Sequence, residues 1–169
     1  MTGRSRLDAL ERCLNDVLDN NVPGDVAETG VWRGGSMMLA KAILDDRKEY
    51  TRHIWLADSF EGMPTPRETD SSKSQLEDFS DREYLIATQQ QVESNFARFG
   101  LLDDRVKFLK GWFCDTLPRA PIKQLALLRL DGDLYESTMD ALTALYNKLS
   151  VGGYIIIDDY YSWPGCKKA

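Results

Sequence analysis

Leu7, Leu10, Leu14, Val17 and Leu18 recur at intervals of three and four, a spacing that predicts an amphipathic helix over residues 5–20. The run Asn-Asn-Val-Pro-Gly-Asp at 20–25 ends it. From there two patterns alternate. The short runs DVAET (25–29), HIWLAD (53–58), RVKFLK (105–110), LALLRLD (125–131) and YIIIDD (154–159) read as strands. The stretches 36–46, about 83–99 and 137–149 carry apolar residues at helical spacing, and VGG at 151–153 is expected to stop the last of them. LALLRLD and YIIIDD are nearly continuous in apolar residues, as parallel strands covered on both faces must be. Residues 60–82 are polar, proline-bearing and aperiodic, too long for a plain connection, and are expected to form a lid.

Strand and helix in alternation predict a doubly wound, Rossmann-like α/β sheet in the order 3-2-1-4-5, built as one domain over 1–169. In such sheets ligands collect beyond the carboxyl ends of the strands. Here the strands exit at Glu28-Thr29-Gly30, Asp58-Ser59, Lys110-Gly111-Trp112, Asp131-Gly132-Asp133 and Asp158-Asp159, so carboxylates gather on one rim.

Composition narrows the partners rather than the fold. A hydrophobic share of 43% and a charged share of 28% are ordinary for a globular chain. A net charge of -6 opposes a nucleic acid or an anionic membrane, both of which require a basic surface. Cys13, Cys114 and Cys166 lack metal-type spacing and read as reduced thiols; with no signal-like or bilayer-length apolar run, the expectation is a soluble, cytoplasmic protein. His53 is expected at a strand end, without a catalytic part.

The stretch ETGVWRGGS (28–36) resembles a phosphate-binding loop but has no Lys-Ser/Thr pair, and Trp32 stands where a dinucleotide loop needs glycine. Gly30 admits a close approach, while Gly34, Gly35 and Ser36 open a helix whose free N–H groups suit an anion. Glu28 would repel phosphate and attract an amine. A ligand with a carboxylate and an ammonium group satisfies both ends, which describes the amino-acid moiety of S-adenosylmethionine. The same turn also serves as a plain strand-to-helix connection. Asp58, closing the second strand, is placed for a ribose, or alternatively for capping the next segment of chain. Gly111, Trp112 and Phe113 set aromatic surface where an adenine would lie. Strands four and five are neighbours, so Asp131, Asp158 and Asp159 would meet at one rim with Asp133 a step beyond. Carboxylates so close repel unless a cation joins them, and a hard ion such as magnesium fits. Without one, Asp133 and Asp159 would be turn or cap residues.

Together ETGVWRGGS, ADSFEGMP, GWFCDTLP, LRLDGDLYEST and VGGYIIIDDYYSWPGC resemble the macrocin and mycinamicin sugar O-methyltransferase family over about Leu7–Cys166. The resemblance implies a class I methyltransferase fold and magnesium-dependent methylation of a sugar hydroxyl on a macrolide-type glycoside. It further implies that Glu28, Gly30 and Ser36 hold the methionyl end, with Thr29 and Ser59 beside them, and Asp58 the ribose. Asp131, Asp158 and Asp159 would hold the metal and Asp133 would act as general base. Family members are longer at both ends, so the chain is expected to be truncated, to lack their C-terminal antiparallel strands, and to expose its fifth strand as an edge. Assembly into a homo-oligomer is left open. Two rivals are weaker: a phosphatase would place its Asp-x-Asp after the first strand, and a dehydrogenase would need G-x-G-x-x-G. A third alternative is a degenerate domain that binds S-adenosylmethionine without catalysis.

Overall fold

Apolar side chains on the strands point alternately to two sides, and both sides are covered. In the computed structural model, which describes residues 3–70 and 83–169, Val26, Leu56 and Leu127 join one core cluster while Ala27, Ala57 and Leu128 join another. The strands are β1 (Asp25–Thr29), β2 (Ile54–Asp58), β3 (Val106–Lys110), β4 (Leu125–Leu130) and β5 (Leu149–Ile157). They form an all-parallel sheet in the order β3-β2-β1-β4-β5, as expected. Every residue of the interior strand β4 is buried, which is why its sequence lacks polar alternation.

Helix α1 (Arg4–Asp19) lays Leu10 and Leu14 against α2 (Gly35–Asp46) on the first face. Helix α3 (Gln89–Arg98) adds Val92 and Phe96 there. The other face is covered by α5 (Tyr135–Leu145), through Ala141 and Leu145, and by Leu117, which follows the single turn α4 (Phe113–Thr116). A short α6 (Pro164–Lys168) packs on α5. No described helix is long and apolar enough to cross a membrane.

The expected elements shift in three places. The helix expected over 83–99 begins only at Gln89, because Thr88 and Gln91 form a reciprocal capping box there; a 3₁₀ turn at Glu83–Leu85 precedes it. The helix expected to reach 149 ends at Leu145, and VGG lies inside β5 rather than before it. There the register jumps from Leu125↔Leu149 to Leu127↔Tyr154, a bulge in the β4–β5 ladder. Strand β5 is a sheet edge with Val151 fully exposed. Of the lid expected over 60–82, residues 71–82 lie outside the described part. Its preceding stretch is anchored: the buried carboxylate of Asp70 accepts the N–H groups of Arg67 (2.8 Å) and Tyr135, the first residue of α5.

Candidate active site

The carboxyl ends of β1, β2 and β4 are followed by residues in the left-handed region: Trp32 (φ 46°), Phe60 (φ 56°) and Asp133 (φ 59°). A conformation that costs a side-chain-bearing residue free energy persists only where surroundings impose it, and it recurs at functional sites. The exits are stitched together by main-chain bonds. Asp131 N–H donates to Thr29 O (2.8 Å), Gly30 N–H to Ala57 O (2.9 Å) and Gly111 N–H to Asp58 O (2.9 Å). Gly30 (φ 89°) admits no side chain, since a Cβ would lie 1.9 Å from the Asp131 carbonyl oxygen. The close approach it permits is between two strands of the chain itself. Gly34 (φ 83°) precedes α2 and brings no side-chain cap, so the first N–H groups of α2 have no such acceptor.

Asp58 fixes the turn from the next strand. One of its oxygens accepts the N–H groups of Val31 (2.7 Å) and Trp32 (3.1 Å), and the other that of Phe60 (2.8 Å). Trp32 is tied in turn to Tyr84 O through its indole N–H (3.1 Å).

Beneath this rim sits a residue that pattern reasoning passed over. Arg129 belongs to the otherwise aliphatic β4, is only 2% exposed, and stands opposite Glu28 in the β1–β4 register. Its Nη1 reaches Glu28 and, at 2.6 Å, Asp131; its Nη2 lies 2.8 Å from Asp158, an ion pair without hydrogen-bond alignment. Asp158 also pairs with Arg6 of α1. The available signal was the arginine itself, within a run that burial on both faces should have made apolar. Burial pushes the Glu28 carboxyl up to about 8, with Arg129 pulling the other way.

Three carboxylates remain. Asp131, Asp133 and Asp159 each offer an oxygen within 4.8 Å of the others. Only part of that charge is met internally: the Asp133 N–H donates to Asp159 (3.2 Å), and Arg129 holds Asp131. Burial, then repulsion from Asp131 and Asp158, raises Asp133 to about 7. Burial and the neighbouring Asp133 and Asp131 raise Asp159 to about 8.

A cavity of about 560 Å³ lies over these groups. Of the sequence-derived positions, Gly30, Asp58, Ser59, Trp112 and Phe113 line it, as do Asp131, Asp133 and Asp159. Glu28, Thr29 and Ser36 are buried beneath it, and Gly111 bonds to the β2 exit. Asp158 turns to its two arginines rather than into the three-carboxylate group. His53 stands at the other end of the sheet, half-exposed and 3.4 Å from Asp25.

This geometry fits two groups. Hard carboxylate oxygens from neighbouring strands, those of Asp133 and Asp159 raised in proton affinity by burial and by their acidic neighbours, are a donor set for a divalent cation such as magnesium. The cavity combines Asp58, the glycine-turn residues Gly30 and Trp32, and the aromatic surface of Trp112 and Phe113, which suits a nucleoside carrying an amino-acid tail.

A parallel sheet ordered 3-2-1-4-5 with its cavity over the strand ends is the fold of class I methyltransferases. The chain belongs to the macrocin-O-methyltransferase (TylF) family, whose model matches residues 1–169. It is 50% identical, over all of its length, to demethyldecarbamoylnovobiocin O-methyltransferase of Streptomyces niveus. It is 46% identical, also over its full length, to mycinamicin III 3''-O-methyltransferase of Micromonospora griseorubida. The chain spans 65% and 67% of those two proteins, respectively. Among solved structures, the O-methyltransferase NovP superposes with a TM-score of 0.92 at 50% identity, covering 99% of this chain and 69% of that one. The calicheamicin methyltransferase CalS11 shares the fold, with a TM-score of 0.78 at 24% identity, covering 98% and 70%.

Proposed function

We propose that this chain carries the donor- and cation-binding core of an S-adenosylmethionine-dependent O-methyltransferase that acts on a sugar hydroxyl of a glycosylated natural product. The observation that carries the reading is the group Asp131, Asp133 and Asp159 inside the same cavity as Gly30, Asp58 and Trp112. The named activities of its relatives, on novobiocin and mycinamicin glycosides, support the acceptor class.

Asp58 and Ser59 orient the ribose, Trp112 and Phe113 give the adenine an apolar wall, and the N-terminus of α2 meets the methionyl carboxylate. Glu28 and Ser36, buried under the turn, act on the methionyl end through the backbone they support. Asp131, Asp158 and Asp159 would hold a magnesium ion with Asp133 beside them, Asp158 also pairing with Arg129 and Arg6. When bound, the cation supplies positive charge that makes an adjacent sugar hydroxyl easier to deprotonate. Asp133, which lines the cavity beside the cation-binding carboxylates, is placed to take that proton. In the transfer the hydroxyl oxygen gains the methyl group, its proton passes to Asp133, and the sulfonium becomes a thioether. Walls that hold both reactants in line account for several kcal/mol of the barrier.

The test is calorimetry with S-adenosylmethionine, with and without Mg²⁺, followed by mass spectrometry of a glycoside panel. A product heavier by one methyl group, lost on chelation, is the expected result. Tight donor binding with no methylated product from any glycoside would instead mark a binding domain without catalysis.

A further inference from the structure

We propose that Trp163 is the platform on which the acceptor's sugar ring lies, fixing which hydroxyl faces the rim carboxylates. The inference rests on the glycoside reading above and extends it to a residue outside the donor and cation groups.

The order of the strands divides the cavity. Trp112 and Phe113 follow β3 at one end of the sheet, Trp163 follows β5 at the other, and Asp131 and Asp133 follow β4 between them. The donor takes the β3–β1 side, from Trp112 past Asp58 to Gly30. In-line transfer puts the acceptor oxygen opposite the sulfur, beyond the methyl group and beside the carboxylate that takes its proton. Both conditions point toward β5.

The local structure makes Trp163 a fixed wall there. The stretch YYSWPGC (160–166) turns away directly after Asp159, and the N–H groups of Ser162 and Trp163 both donate to the Asp159 carbonyl, at 2.9 Å each. The tryptophan is thereby tied to a member of the carboxylate group. Two residues on, Gly165 is seated so closely that a Cβ would lie 2.7 Å from an Asp70 carboxylate oxygen and 3.0 Å from the Tyr135 nitrogen. Gly165 and Cys166 are buried, whereas Trp163 is half-buried and belongs to no core cluster among the described residues. The turn is thus anchored through its small residues, and its one large ring is left against the cavity. Arg6 closes this side from α1, with its guanidinium on Asp158 and 3.4 Å from the Ser162 hydroxyl. An indole face carries negative partial charge, and the C–H groups on one face of a pyranose offer it both positive partial charge and apolar surface. Such a contact leaves the hydroxyls at the ring edge free to meet the carboxylates.

The probe is methyl α-L-rhamnopyranoside, a neutral deoxyhexose, titrated into the chain loaded with S-adenosylhomocysteine and Mg²⁺. Saturation-transfer NMR reads which ring protons touch the protein, and the titration gives the affinity. The variants are Trp163→Phe and Trp163→Leu, with circular dichroism to check each fold and calorimetry to measure S-adenosylmethionine binding. In the wild-type chain the strongest transfer should fall on the C–H protons of one ring face. Trp163→Leu should bind the pyranoside about 10-fold more weakly and Trp163→Phe within about 3-fold of wild type, both with wild-type donor affinity. Wild-type pyranoside affinity in folded Trp163→Leu overturns the inference and leaves the glycoside reading standing. Equal losses in the two variants, or transfer spread evenly over both ring faces, do the same. A parallel loss of donor affinity, or failure of both variants to fold, also overturns it, because the indole would then serve the fold. A wild-type chain that binds the donor but not the pyranoside overturns the glycoside reading first and the inference with it.

Discussion

Two charge clusters, at different corners of the molecule, show how composition alone misleads about purpose. Near the start of β3, Lys41 and Arg105 face Asp45 and Asp103, so cations and anions balance. Lys41 is almost wholly buried, at 2.5 Å from Asp45 and 3.1 Å from Asp103. At the carboxyl rim, Glu28, Asp131, Asp133, Asp158 and Asp159 have, among the described residues, Arg129 and Arg6 as their cations. The pKa values move in opposite directions accordingly. Desolvation pushes Asp103 up, but hydrogen bonds from Arg105 and Lys41 prevail and hold it at about 2. Asp133 and Asp159, without such partners, rise to about 7 and about 8. A balanced cluster needs no third party and reads as structure. An unbalanced one, under a cavity and beside strained backbone, is what the proposed cation site rests on.

The strongest way to break this contrast is to remove the rim's chemistry. Asp131→Ala should weaken Mn²⁺ binding by more than about 100-fold and abolish methyl transfer, measured by metal titration and product mass. Asp133→Asn should retain donor binding while kcat falls about 10²–10⁴-fold, read by steady-state kinetics. Full turnover in Asp133→Asn would hand the base role to another group.

The pH dependence sharpens the comparison because the clusters carry opposite signs. Asp133 and Asp159 titrate well above the ordinary 3.8, so the folded chain retains protons that the unfolded chain has released. Metal-free stability should therefore fall as pH rises from about 4 to about 8, and saturating Mn²⁺ should flatten that decline. Asp103 is held below 3.8, so its contribution is present above that pH and is lost as pH falls through about 2. Thermal melts across pH, with and without the ion, separate the two limbs; a metal-free melting temperature that climbs between pH 5 and 8 contradicts the rim assignment.

Smaller effects belong to the balanced side. Lys41→Met should cost about 1–3 kcal/mol in denaturant unfolding, since Asp45 and Asp103 lose a buried partner but keep Arg105 and some water. Mn²⁺ affinity should not change. At the rim, Arg6→Ala removes a 42% exposed arginine while Asp158 keeps Arg129, and a stability loss of at most about 1 kcal/mol is expected.

Much of the architecture is readable in the sequence. The period of the apolar positions separated strands from helices, and DVAET matches β1 from end to end. The rim carboxylates follow from strand order, because parallel strands must all exit on one side. Boundaries set by side-chain hydrogen bonds were harder. The Thr88–Gln91 box and the bulge that takes VGG into β5 are local bargains between a few atoms, invisible to periodicity. Single turns such as α4 and α6 are too short to show any period.

The chain's apolar spacing by itself determined an alternating α/β sheet, its strand exits and the acidic residues placed there, because periodicity and connection rules act along the backbone. Which carboxylates face one another was decided only in three dimensions. Neighbours in sequence, Asp158 and Asp159 take different partners: Arg129 and Arg6 hold the first, while the second joins Asp131 and Asp133 under the cavity. The physical reason is that a side chain's direction at a strand end depends on the nearest opposite charge, and that charge comes from β4 and α1, elements distant in sequence.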